Sequence, residues 1–213
     1  MKTPLLIVGA GGHARVVISL ARRLTKWELV GLADRTSKSM GEIISGVSIK
    51  WTFDDLETEF QRGIRHAALA LGDNAERADM YLRLRSAGFE IPSLVHPSSV
   101  IESDVTVGTG ATVCAGAILC TLSQIGENVL INTGAIIDHE TEVGAHAHVG
   151  PGARLAGRVK VGPRTFIGCG AVVRDKVNIG AGSIVGAGAV VVGNLPDNVV
   201  AYGCPARVQR SLS

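Results

Sequence analysis

Aromatic side chains are scarce in this chain of 213 residues: Phe, Trp and Tyr make up 4%, and most of them lie before residue 90. A second half almost without rings must fill its interior with aliphatics, in a space too narrow for large side chains. Charge of one sign is also missing. Lys and Arg number 21 against 19 Asp and Glu, a net +2, which argues against a dedicated nucleic-acid binder. No apolar run reaches membrane-spanning length, and the stretch 5–8 is cut short by Gly9, Gly11 and Gly12, so neither a spanning helix nor a secretory leader is expected. A soluble, cytoplasmic protein is the reading. The four cysteines, Cys114, Cys120, Cys169 and Cys204, contain no CxxC pair. They are expected to be packing thiols in a reducing compartment, with no disulfide and no metal site.

What the chain has in quantity is a period of six. From Val95 to Val191 every sixth residue is Val, Ile or Leu without a slip, and four residues after each comes a small or medium side chain such as Ala111, Ser123, Ala135 or Thr141. A glycine often follows the aliphatic, as at Gly108, Gly126, Gly144 and Gly162. Six fits neither a 3.6-residue helix nor a simple amphipathic strand. It fits a hexapeptide β-helix, in which each hexad is one short strand and a turn and three hexads close one triangular coil. The array makes about five and a half coils, on the order of 25 Å at the usual strand spacing. Residues 197–207 are expected to cap the last coil.

Residues 1–94 read differently. Strands are expected at 5–8, 29–32 and 67–71, and helices at 13–24, 54–60 and 75–87, an alternation that predicts a small Rossmann-like α/β domain with a parallel sheet. Gly9-Ala10-Gly11-Gly12-His13 follows the first strand and opens a helix, where backbone N–H groups approach a phosphate and the helix end favours its charge. Asp34 closes the second strand, as in a dinucleotide site. The domain is too short for a complete dinucleotide fold, so a nucleotide-sugar is the preferred ligand over a dinucleotide or a plain packing turn. His13, at the helix start, is a candidate donor to a phosphate or sugar hydroxyl.

Among the histidines of the repeat, His139 stands out. Ile137 points inward, so His139 enters a corner, where it and Glu140 need not lie on opposite sides. A carboxylate beside an imidazole fixes its tautomer and raises its basicity. Gly157 lies three hexads later, one coil above, and is expected to leave open space and an N–H for an oxyanion. His148, a hexad and a half from His139, is half a coil away and would meet it only across a subunit boundary.

Taken together, the Gly-rich turn at residues 9–13, His96-Pro97, the stretch 131–135, Asp138-His139-Glu140 and the closing segment 201–207 resemble the NeuD/PglD-type sugar acyltransferases. The resemblance covers nearly the whole chain. It implies an N-terminal nucleotide-sugar domain over residues 1–94 and a left-handed parallel β-helix over 95–213, assembled as a homotrimer with active sites between subunits and using acetyl-CoA, with no metal. It implies that His139 is the general base and Glu140 its partner, and that Asn132 and Asp138 contact the acceptor sugar. His148 and Gly157 would line the thioester end, while Gly168, Gly186, Pro205 and Arg207 would border the rest of the CoA. Gly11, Gly12 and His13 would approach the phosphates and Asp34 the nucleoside. The implied reaction is acetylation of the 4-amino group of a nucleotide-linked 4-amino-4,6-dideoxysugar. The runner-up is O-acetylation of a sialic acid. Two readings from other classes are a zinc lyase of the γ-carbonic anhydrase kind, which needs three convergent histidines, and a non-catalytic nucleotide-binding scaffold.

Overall fold

The computed structural model describes residues 2–212, which divide into two compact units, residues 2–94 and 95–212. In the first unit, β1 (Thr3–Val8), β2 (Trp27–Asp34), β3 (Ile43–Ile44), β4 (Val47–Thr52) and β5 (His66–Leu69) form one sheet in the order β3-β4-β2-β1-β5. All pairs are parallel except β3 with β4. The period-two alternation of β1 sends Leu5 and Ile7 to one face and Leu6 and Val8 to the other. Leu5 and Ile7 pack with Val17, Ile18 and Ala21 of α1 (Gly12–Arg23). Leu6 and Val8 pack with Leu56 of α2 (Leu56–Gln61) and with Met80, Tyr81 and Leu84 of α3 (Asn74–Ser86). Both faces are therefore covered, which is why the central strands read as continuous apolar runs.

The sequence reading expected no strand at 47–52. The alternation of Val47, Ile49 and Trp51 carried that signal, and β4 extends the sheet beyond β2. The expected helix at 54–60 is a short 3-10 turn, Phe53–Asp55, running into α2. A capping box sets its start: Thr52 and Asp55 exchange side chain and backbone bonds.

The second unit is a three-sided prism of two-residue strands in parallel register. Its first face runs from Leu94–Val95 to Ile184–Val185, its second from Val100–Ile101 to Val190–Val191, and its third from Thr106–Val107 to Asn178–Ile179. Each strand pairs with the one three hexads on, as Ile118 with Ile136 and Ile136 with Arg154. The hexad aliphatics stack inside: Leu119, Ile137, Leu155 and Val173 are fully or almost fully buried, as are the small residues Ala117, Ala135, Ala153 and Ala171. At the corners the third turn residue has positive φ. It is glycine at every coil between the first and second faces, from Gly116 to Gly188, but between the second and third faces it is Leu122, Glu140, Arg158 and Lys176. A terminal hairpin, Val199–Gly203 with Ala206–Ser211, pairs onto the first face and closes it. Among the described residues no helix is long and apolar enough to cross a membrane.

A core built from single aliphatic columns has little to relax into when one is truncated. Ile167→Ala should destabilise the protein by about 2–5 kcal/mol, whereas Leu82→Ala on the exposed side of α3 should change stability by less than about 0.5 kcal/mol; denaturant unfolding reads both.

Candidate active site and nucleotide site

In the first unit the Gly-rich turn joins β1 to α1. Gly9 has φ +111°, and a Cβ there would fall 2.9 Å from the Ala70 carbonyl oxygen, so its glycine is demanded by the fold. Gly11 caps α1 and Gly12 begins it; both are exposed, and a Cβ on either would meet nothing within 4 Å. Packing does not account for these two glycines. Their openness at a helix N-terminus suits the close approach of an anion. His13, one residue into the helix, is held neutral: burial, and secondarily the charge of Arg77, push its imidazole down to about 4. At neutral pH it can donate one N–H without adding charge.

Arg77 was not singled out from sequence. It lies on the inner side of α3 and is 3% exposed, and burial pushes its guanidinium down to about 10 against the opposing effect of Asp73. The signal was present, because Arg77 occupies the apolar spacing of Met80, Tyr81 and Leu84. A cation kept there close to His13 is a second anion-attracting group beside the turn. Asp34, at the end of β2, accepts a 2.5 Å bond from the Ser39 hydroxyl. The neighbouring Arg35 pairs with Glu76 of α3, so the region after β2 is tied to the start of that helix.

In the prism, His139 and Glu140 share the corner between the second and third faces. The corner begins with Asp138, whose Oδ1 accepts the His139 backbone N–H at 2.7 Å. Glu140 takes the left-handed conformation, φ 56°, which swings its side chain back toward His139. Its Oε2 lies 3.0 Å from His139 Nδ1. The carboxyl is held below the usual carboxylate range by the bond from His139 and then by one from Arg158. An ionised carboxylate at Nδ1 requires the proton there, leaving Nε2 as the free lone pair.

Gly157 does stack on His139, but the space that its missing side chain leaves is filled and not open. A Cβ on Gly157 would fall inside van der Waals contact with Nε2, Cε1 and Cδ2, so the ring lies flat over it. Gly157 differs in this from Gly144, Gly162 and Gly168, whose missing Cβ makes room for backbone of the next coil. The N–H at this corner position is taken by the preceding side chain in other coils, Asp138 for His139 and Asn132 for Thr133. Before Gly157 stands Ala156, which has no acceptor to offer.

The remaining candidates fall elsewhere. Asn132, at the corner between first and second faces, and His148, on a first-face strand, meet each other: Asn132 Nδ2 is 3.2 Å from His148 Nε2, and the His148 ring packs 4.9 Å from Phe166. They are not brought beside His139 within the chain. His146 occupies the third corner column, its Nδ1 2.9 Å from Asn128 Nδ2. His139, His146 and His148 thus occupy separate positions around the coil, and among the described residues no group of three or more His, Cys, Asp and Glu is arranged to hold a metal ion. Gly168 and Gly186 are accounted for by packing: a Cβ on the first would fall 2.6 Å from Ala187 N, and on the second 2.7 Å from Tyr202 Cβ. Pro205 and Arg207 are exposed in the terminal hairpin. Beside the dyad a cleft of about 630 Å³ is lined by Asp104, Leu122, Glu140, Glu142, Arg158 and Lys160, and a groove of about 920 Å³ runs on along the third face.

Two sequence families describe these units. Residues 4–84 match the PglD N-terminal domain, and residues 123–157 and 158–193 match the bacterial transferase hexapeptide repeats. PerB from Caulobacter crescentus, solved with CoA and GDP-perosamine, is similar over 99% of both chains at 38% identity and a TM-score of 0.93. The acetyltransferase domain of PglB from Neisseria gonorrhoeae, solved with acetyl coenzyme A, is 31% identical over 98% of this chain and 100% of its own, with a TM-score of 0.91. The chain belongs to the NeuD/PglD-type sugar acetyltransferases. WeeI from Acinetobacter baumannii shares the fold at 23% identity over 97% of this chain and 100% of its own, with a TM-score of 0.87. No curated protein matches the chain.

Membership makes the prism a left-handed parallel β-helix, against the usual right-handed crossover between parallel strands. Within this sugar acetyltransferase the contact between His139 and Gly157 is open to direct test. Gly157→Ala should lower kcat by about 10²-fold or more, because the added methyl takes the place of the imidazole, while the unfolding midpoint moves little for a residue at the corner; steady-state kinetics beside thermal denaturation separates the two.

Proposed function

We propose that the chain transfers an acetyl group from acetyl-CoA to the amino group of a nucleotide-linked 4-amino-4,6-dideoxysugar, directly and with His139 as general base. The observation that carries this reading is the aimed imidazole: Nδ1 on an ionised Glu140, Nε2 in the space that the missing side chain of Gly157 leaves. An amine attacks a thioester only as its proton is removed. Nε2 accepts that proton as the C–N bond forms, Glu140 stabilises the imidazolium, and the Gly157 N–H is the candidate donor to the tetrahedral oxyanion; collapse of that intermediate breaks the C–S bond and expels the CoA thiolate, which takes the proton from the imidazolium and leaves as CoA. Holding both substrates in one cleft supplies proximity.

Two thiols of the prism are poor nucleophiles. Burial pushes Cys114 up to about 12, and Cys120 is raised by burial and by Asp138 and Glu102. Neither favours a thiolate, which supports direct transfer over an acetyl-cysteine intermediate. The likeness to PerB across the whole chain weighs for nitrogen over a sialic acid hydroxyl as the acceptor. The nucleotide is assigned to the first unit, its diphosphate at Gly11, Gly12 and His13 with Arg77 behind them. Substrates of this kind, acetyl-CoA and a nucleotide-sugar, argue for the cytoplasm as the compartment.

The assembly proposed is a homotrimer. The outward row of the third face is polar, with Thr106, Gln124, Glu142, Lys160 and Asn178. That of the second face is Val100, Ile118, Ile136, Val172 and Val190, interrupted only by Arg154, and Val100 and Val172 are exposed. The first face presents the half-buried Phe166 and Ile184. A heterologous contact of the second face on the first face of the next copy closes into a ring of three. In that arrangement the His139 corner borders the next subunit, which brings its own Asn132 and His148.

His139→Ala should reduce kcat by about 10²–10⁴-fold with GDP-perosamine and acetyl-CoA as the first substrates tried, while CoA binding measured by calorimetry is retained; turnover at the wild-type rate would refute the base assignment. In light scattering the wild type should have three times the chain mass. Val172→Glu, which buries an unpaired carboxylate in the proposed contact, should shift it toward one chain and lose activity with it.

A further inference from the structure

We propose that Arg158 is a positioning residue for the reaction: its guanidinium pins the Glu140 carboxylate so that one oxygen holds the Nδ1–H of His139 and turns Nε2 toward Gly157. This rests on His139 being the base. Arg158 occupies the same corner column as Glu140, one coil on, and like it adopts the left-handed conformation, φ 62° against 56°. Its backbone N–H donates to the His139 carbonyl at 2.9 Å, tying the two corners together. Its Nε–H donates at 2.9 Å to Glu140 Oε2, and Oε2 is the same atom that lies 3.0 Å from His139 Nδ1. One carboxylate oxygen therefore bridges a permanent cation and the ring nitrogen. Arg158 reaches the imidazole only through Glu140.

All three side chains are about half exposed. A lone Glu140 at such a corner would sample several rotamers, and most would leave Nδ1 without a partner and allow either ring tautomer. A guanidinium arriving along Nε removes that freedom with a directional bond that an ammonium reproduces only in part. The other charges around the dyad do not substitute for it. Glu142 pairs with Lys160 at 2.9 Å across the same cleft. Asp104, Asp138 and Asp175 are acidic, and Lys176 lies one coil beyond Arg158.

The measurements are the His139 ring tautomer by nitrogen-detected NMR of the full chain without substrate, and kcat and KM with GDP-perosamine and acetyl-CoA. Wild type should show Nδ1–H with Nε2 unprotonated. Arg158→Met should give a mixture of tautomers and lower kcat about tenfold with little change in KM. Arg158→Lys should restore the wild-type tautomer and kcat in part, a pattern that loss of a structural contact would not produce. A wild-type tautomer in Arg158→Met would overturn the proposal. Since the tautomer is read without substrate, full activity in His139→Ala would fault the assignment of the base and not the role of Arg158 in orienting the ring.

Discussion

The strict three-hexad register governs everything this prism does. Each coil hydrogen-bonds to the next through short parallel strands, so a residue at a corner is fixed directly over its counterpart one coil earlier. A slip of one residue would turn a hexad's aliphatic out of the core and lift an outward side chain into it, so burial enforces the register throughout. The corners are not independent loops as a consequence. They form columns, and a column is a line of side chains held at strand spacing without any contact evolved for that purpose alone. His139 over Gly157 and Glu140 beside Arg158 are two such pairs, and Asp138 beside Cys120 is a third. The chemistry is read along the prism axis, between coils, as much as along the chain.

That constraint explains what could be read in advance. The hexad period located the inward column of aliphatics from Val113 to Val191 and the neighbour of His139, because both follow from counting. The side chain directions at the corner also followed, since a turn lifts the alternation that a strand would impose. What counting did not supply was the use made of the space. An empty cradle was expected above His139, whereas the imidazole itself fills it, because the ring's Nε2, three bonds beyond Cβ, reaches the next coil when nothing there projects. Arg158 was passed over for a related reason. The step of one coil was taken from His139 to Gly157, and the same step taken from Glu140 leads to Arg158.

The first unit was legible in its strands and helices but not at its edges or in its interior charge. β4 was missed because Gly46 and the short β3 interrupt the apolar pattern before it, although its own alternation is plain. Arg77 was missed because a charged residue on a helix is ordinarily assigned to the solvent side. Its spacing with Met80, Tyr81 and Leu84 says otherwise, and a buried cation is retained against a desolvation penalty. Of the glycines in the turn, sequence could not separate the structural one from the open ones. The positive φ and the contact of Gly9 with Ala70, set against the empty surroundings of Gly11 and Gly12, make that separation.

The energetics of the dyad decide how its ion pairs are to be understood. Pairs this exposed contribute little to stability, since water screens them and ordering long side chains offsets the gain. Selection for fold stability therefore gives no reason to place Arg158, Glu140 and His139 in one chain of bonds, two of them at positions where a non-glycine backbone is strained. On the proposed mechanism their value lies in orientation, which matters only once the surroundings are closed to water and the lone pair of Nε2 has an amine to meet. The corner of a single chain stands open beside an apolar face. In the proposed assembly the uncovered aliphatic row and the half-exposed imidazole have one resolution: the surface that buries the row also encloses His139.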